Sequence, residues 1–229
     1  PVHLDELITI CKKWNIPIVE DAAESIGSEY KGMPTGSFGK LGVFSFNGNK
    51  IVTSGGGGAI VTNDIQLAMK AKHLTTTAKV PHPYEYVHDE IGYNFRMPNL
   101  NAALACAQLE QIETFIENKR ELSEKYEQYF SDKKIQFVKE PKQSRSNYWL
   151  NAILLNNFEE RNKALTFLND AGIMSRPCWQ LMHKLKMFED CIKDKQVNAE
   201  WIAIEELRNS RCSKTRENIW KCEESGNPE

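Results

Sequence analysis

Neither sign of charge prevails in this chain: 29 Lys and Arg stand against 31 Asp and Glu, a formal net charge of −2 over 229 residues. Such a balance lays down no electrostatic footprint for a polyanion, so nucleic acid is excluded as an expected partner. Apolar runs long enough to cross a bilayer are also missing, and no membrane segment is expected. The six cysteines, at 11, 106, 178, 191, 212 and 222, show neither a CxxC pair nor a zinc-binding spacing. No metal site and no disulfide framework is therefore expected, and a reducing, cytoplasmic setting fits best. With 41% hydrophobic and 26% charged residues the chain is not of disordered composition and can build a globular core. It also lacks an initiator methionine and opens directly on an amphipathic pattern, as expected of a piece cut from something longer.

What is present alternates between two periods. Leu4, Leu7, Ile8, Ile10, Cys11 and Trp14 recur at helical spacing, and Ile16 to Val19 is a short apolar run that ends in the acids "ED". "LGVFSF" and "GAIVTND" are further short strands bounded by glycine, the second leading into a helical pattern from Ile65 to about Leu74. Strands alternating with helices predict an α/β sheet, which collects its functional groups at the carboxyl ends of its strands. After a polar loop from Thr75 to Glu90, the spacing from Met97 to Phe130 predicts one helix of roughly nine turns. "IQFV", "NYWLNAILL", "FEERNKALTFLNDAG" and "IMSRP" then read as strand, strand, helix, strand, a small α+β domain.

Asp21 stands where a strand ends; a turn or helix-capping acid is the plain alternative. Ser45 ends another strand, and Lys50 follows in a loop of small and amide residues. A lysine removed from water can act as a covalent nucleophile, although a lone lysine is more often an ordinary surface charge. The run Gly55 to Gly58 has neither Walker nor GxGxxG spacing and reads better as a tight turn than as a phosphate cradle. An acid, a serine and a lysine after successive strands, with a glycine-rich turn, form the set that pyridoxal phosphate requires: amine for its aldehyde, carboxylate for its ring nitrogen, hydroxyl for its phosphate.

The stretch "PIVEDAAESIGSEYKGMPTGSFGKLGVFSFNGNKIVTSGGGGAIVTND" resembles the central signature of the DegT/DnrJ/EryC1/StrS sugar aminotransferases, and "GYNFRMPNLNAALACAQL" resembles their second signature. The resemblance runs from about Pro1 to Ala203. It implies the aspartate aminotransferase fold (fold type I), with Lys50 as the lysine that bonds to pyridoxal 5'-phosphate and moves the proton. It further implies that Asp21 pairs with the pyridine nitrogen, Ala23 packs on the ring and Ser45 binds the cofactor phosphate. Glu24 falls where the family varies among Gln, Glu and His near the ring hydroxyl. Asn94 matches a residue that reaches the partner's cofactor phosphate across a homodimer, so the active site is expected to be shared; capping of the following helix is its plain alternative. "GIMSRPCWQLMHKLKMFEDC" resembles the segment near the sugar nucleotide, where Arg176 and His183 meet a diphosphate, or else Trp179 and Met182 are core and His183 is surface.

On this basis residues 1–98 are expected to be the C-terminal part of the cofactor-binding large domain, with an incomplete, mainly parallel sheet. Residues 99–131 are the connecting helix and 132–203 the small domain. The stretch 204–229 departs from the family pattern; a shifted reading frame is one account of it and a solvated tail the other. Relatives carry a further N-terminal portion, and without it the 229-residue chain is expected to bind the cofactor poorly and to turn over little. The implied reaction is amino transfer, with glutamate as donor, to a nucleotide-linked 4-keto sugar; the wording "SFNGNK" and "SGGGG" looks most like members serving bacillosamine-type or legionaminic-type surface sugars. A non-catalytic remnant or dimerisation module is the alternative. A second alternative is the related dehydratase branch, which carries histidine where this chain has Lys50.

Overall fold

The structure is a computed structural model and describes residues 2–133 and 135–209. In chain order its elements are α1 (Leu4–Lys13), β1 (Val19–Asp21), β2 (Glu29–Tyr30), β3 (Met33–Pro34), β4 (Leu41–Ser45), β5 (Gly58–Val61), α2 (Ile65–Thr75), β6 (Lys79–Val80) and β7 (Val87–His88). They continue as α3 (Asn99–Leu109), α4 (Ile112–Phe130), β8 (Gln136–Phe137), β9 (Ser144–Arg145), β10 (Asn151–Leu154), α5 (Phe158–Asp170), β11 (Ser175–Pro177), α6 (Val197–Glu205) and β12 (Glu206–Asn209). Two compact units result: one built from the chain up to Ile116 and from Glu140–Trp149, the other from Glu117–Lys139 and from Leu150 onward.

In the first unit β1 and β4 run parallel, with Val19 opposite Leu41 and Asp21 opposite Val43. β5 turns back antiparallel to β4, pairing Ser45 with Gly58. The first strand lies a little later than the apolar run predicts, and its acids are part of the ladder. The carboxyl ends of the parallel strands β1 and β4 therefore lie side by side, with Asp21 ending the first and Ser45 the second. The core beneath consists of Phe46, Ile51, Val52, Ala105 and Ile116. Ile51 and Val52 directly follow Lys50, so burying them fixes the lysine in space.

The turn between β3 and β4 rests on Glu20 of β1. Its carboxylate accepts the backbone N–H groups of Gly36 at 2.7 Å, Phe38 at 2.6 Å and Gly39 at 2.6 Å. Hydrogen bonds to an ionised group are the strong ones, and three partly buried N–H donors have no substitute if the acceptor is removed. We expect Glu20→Ala to lower the free energy of unfolding by about 3 kcal/mol, with Glu20→Gln intermediate; denaturant titration measures it, and a loss below about 0.5 kcal/mol would refute it.

Two elements differ from the sequence reading. The single nine-turn helix is two, α3 and α4, with a break at Glu110 and Gln111. Ala105 of α3 and Ile116 of α4 both enter the same core. The polar loop after α2 also contains a small hairpin, β6 against β7, pairing Lys79 with His88 and Val80 with Val87. Two-residue strands are too short to leave a period in the sequence.

The second unit carries a four-stranded sheet in the order β11-β12-β10-β8, covered by α5. Asn157 caps α5, its side chain accepting the Glu160 N–H at 2.9 Å. β12 runs antiparallel to both β10 and β11, so the atypical stretch begins as the end of α6 and a central strand. The rest of that expected tail, from 210 on, lies outside the described residues.

Candidate active site

The loop between β4 and β5 holds Lys50 at the carboxyl end of the sheet. It closes on itself: Phe46 N–H donates to the Gly57 carbonyl at 3.0 Å, and Ser54 N–H to the Phe46 carbonyl at 3.0 Å. Asn101 of α3 donates to the Ser54 carbonyl at 2.5 Å. The glycines serve this closure, since a Cβ at Gly58 would lie 2.3 Å from the Phe44 carbonyl oxygen. They are a turn.

At the end of this loop the Lys50 side chain is only 10% exposed. Its ammonium forms an ion pair with the Glu24 carboxylate and lies 4.3 Å from the centre of the Trp149 ring. Asp21, at the end of β1, is exposed and accepts the Ala23 N–H at 3.2 Å, a local turn bond, as the plain reading of this acid has it. Ala22 beside it is buried and donates to the Val43 carbonyl at 2.9 Å. Ser45 accepts the Asn47 N–H at 3.3 Å. An amine, two carboxylates and a hydroxyl thus share the carboxyl end of adjacent strands, a donor set that fits an aldehyde-bearing, protonated pyridine with a phosphate.

Asn94 pairs with Thr76 across an isolated bridge at the end of α2. It does not cap the following helix, which starts after Pro98 with no side-chain cap. Its neighbours Tyr93 and Phe95 are exposed and stack on each other with centroids 5.2 Å apart.

Arg176 and His183 stand in the second unit. Arg176, on β11, donates to the Asn169 side chain at 3.2 Å and to the Ser175 carbonyl at 2.9 Å. His183 Nε2 lies 3.1 Å from Glu200 Oε1, and this hydrogen bond, helped by Lys184, holds the Glu200 carboxyl below its usual range. The plain alternative for this segment is reversed in the structure: Trp179 and Met182 are exposed, while the His183 side chain is only 15% exposed.

Three residues at or near the site carry no signal in the sequence reading: Glu20, Asn147 and Trp149. The last two lie within "NYWLNAILL", read there only as a strand. Asn147 is 3% exposed; its side-chain amide donates to the carbonyls of Glu24 at 2.8 Å and Ile26 at 2.9 Å. No spacing in the sequence relates residue 147 to residue 24; only the pairing of β9 with β2 brings the two segments together.

Among curated proteins, the chain is 38% identical over 190 residues to a GDP-perosamine synthase of Escherichia coli, covering 83% of this chain and 52% of that one. It is 36% identical over 154 residues to the UDP-4-amino-4,6-dideoxy-N-acetyl-beta-L-altrosamine transaminase of Campylobacter jejuni, covering 64% of this chain and 40% of that one. The chain spans about half the length of the curated relatives it matches. Of solved structures, it resembles PseC of Helicobacter pylori, described as an aminotransferase involved in the biosynthesis of pseudoaminic acid, with a TM-score of 0.84 at 24% identity over 91% of this chain and 58% of that one. A likeness of this degree shows the shared fold of the matched part. The family model of these aminotransferases matches residues 1–213, ten residues beyond Ala203, and the chain belongs to the DegT/DnrJ/EryC1/StrS aminotransferase family.

Proposed function

We propose that the chain is the C-terminal part of an enzyme that moves an amino group from glutamate to the keto carbon of a 4-keto sugar carried on a nucleotide. The observation that carries this reading is the placement of Lys50: a shielded amine between Glu24 and Trp149, beside strand ends that present Asp21 and Ser45. Pyridoxal phosphate, when bound, supplies the electron sink that lets a proton leave the carbon bearing nitrogen. Lys50 would hold its aldehyde and would move the proton at the substrate carbon. Asp21 would keep a proton on the pyridine nitrogen, Ser45 would donate to the phosphate, and Ala23 and Glu24 would lie at the ring and its hydroxyl. Asn94 reaches the partner's cofactor phosphate, which the exposed aromatic pair beside it supports as part of a homodimer face. Arg176, with its fork of donors, and His183 meet the nucleotide diphosphate.

The names printed for the relatives support the substrate class, since they comprise a GDP-sugar synthase and a UDP-sugar transaminase. The domain division at 98, 131 and 203 and a cytoplasmic location belong to the same proposal. So does the assignment to surface-sugar synthesis of the bacillosamine or legionaminic type.

The test is incubation of the whole enzyme of which this chain is proposed to be a part with pyridoxal phosphate, glutamate and GDP- or UDP-linked 4-keto-6-deoxy sugars, with the product followed by mass. Gain of an amine is expected. Loss of a hydroxyl would point to dehydration instead, and a cofactor-bearing dimer that yields neither product would overturn the proposal.

A further inference from the structure

We propose that Trp149 is a positioning residue for Lys50, held in register by Asn147. The inference rests on the reading of Lys50 as the cofactor's covalent anchor, and its geometry lies wholly within the first unit. Trp149 makes two separate contacts with the lysine loop. Its indole N–H donates to the carbonyl of Asn49 at 2.7 Å, fixing the peptide that enters Lys50. Its ring face stands 4.3 Å from the Lys50 ammonium, an arrangement in which the ring's electron-rich face attracts the cation. The indole supplies both at once: phenylalanine has the face without the N–H, and an aliphatic residue has neither.

The neighbouring residue ties this to the other partner of the lysine. Asn147 accepts the Trp149 backbone N–H on its side-chain oxygen at 2.9 Å and donates its amide to the carbonyls of Glu24 and Ile26. Its own backbone N–H donates to the Ser28 hydroxyl at 3.0 Å. Residues 147 to 149 therefore span from the loop bearing Glu24 to the loop bearing Lys50, so the two ends of the Glu24–Lys50 ion pair are set by one short segment. Between them Tyr148 has φ +43, in the left-handed region that bulky residues rarely enter. Its backbone N–H donates to the Ser146 hydroxyl at 3.1 Å, and its own hydroxyl accepts the Glu140 N–H at 3.2 Å. A strained conformation persists only where the surroundings over-determine it, and such residues gather at functional sites. Here the reversal at Tyr148 lets Asn147 face the Glu24 loop while Trp149 faces the lysine.

The experiment compares the wild-type chain with Trp149→Phe and Trp149→Leu, without cofactor, by competitive labelling with an amine reagent at one fixed pH. The extent of labelling at Lys50 is read by peptide mass against Lys31 and Lys40. Removing the ring uncovers the amine and frees its chain, so Trp149→Leu is expected to raise relative labelling of Lys50 about tenfold, and Trp149→Phe by less. Unchanged labelling of Lys50 in Trp149→Leu would overturn the proposal, as would an equal rise at Lys31 and Lys40, which marks general loosening. Borohydride reduction of the wild-type chain with pyridoxal phosphate tests the underlying reading separately. Absence of a cofactor adduct on Lys50, with the labelling shift intact, would refute the covalent role while leaving the positioning in place.

Discussion

Lys50→Ala is expected to abolish borohydride-stable attachment of pyridoxal phosphate and to lower amino transfer by at least about a thousandfold, the scale set by loss of a positioned proton carrier. Stability should hardly change. The pair that Lys50 makes is with Glu24, whose side chain is 46% exposed, and a pair with one partner so open contributes little. Lys50→Arg sharpens the test. Arginine keeps a cation for Glu24 and for the Trp149 face but cannot lose its proton to become a nucleophile, so it should restore the contacts and not the chemistry. Attachment of the cofactor to another lysine at the wild-type level, read by peptide mass, would refute the assignment.

A second large effect belongs to the core beneath that loop. Ile116 is 0% exposed, and its Cδ1 occupies the space where a side chain on Gly27 would go: a Cβ there would lie 2.1 Å from it. Ile116→Ala should lower the unfolding free energy by about 4 kcal/mol through lost burial and the cavity left behind. Gly27 has φ +75, so Gly27→Ala meets both a left-handed backbone, costing about 1 to 2 kcal/mol, and the collision with Ile116. The two substitutions are therefore coupled. In the Ile116→Ala background the collision disappears and Gly27→Ala should cost only about 1 kcal/mol. Denaturant titration of the four proteins measures this, and strict additivity would show that the two residues do not compete for the same volume.

The pairing of these effects explains why the lysine loop is rigid without being regular structure. Ile51 and Val52 are buried in the same cluster as Ile116, and Ser54, only 1% exposed, takes the Asn101 amide on its carbonyl. The loop is pinned at both ends of Lys50 by burial on one side and Trp149 on the other.

How much of this was legible beforehand varies with the range of the interaction. Strands β4 and β5, helices α1, α2 and α5, and the places of Asp21 and Ser45 at strand ends could be read from the sequence, because hydrophobic period and glycine boundaries are local properties of the chain. The division of α3 from α4 could not, since the apolar spacing runs on through Glu110 and Gln111 without a proline, a glycine or a change of period. Nor could the Glu20 carboxylate be told from its neighbour Asp21: both are acids at a strand end, and the loop of three N–H groups that claims Glu20 is more than fifteen residues away in sequence. The sequence by itself carried the resemblance to the family and the positions of β4, β5 and the loop that bears Lys50. Only the tertiary structure decided that Asn147 and Trp149, about a hundred residues after Lys50, stand beside it. The physical reason is that the contact depends on β9 returning to pair with β2, and pairing between distant strands leaves no periodic trace in either segment.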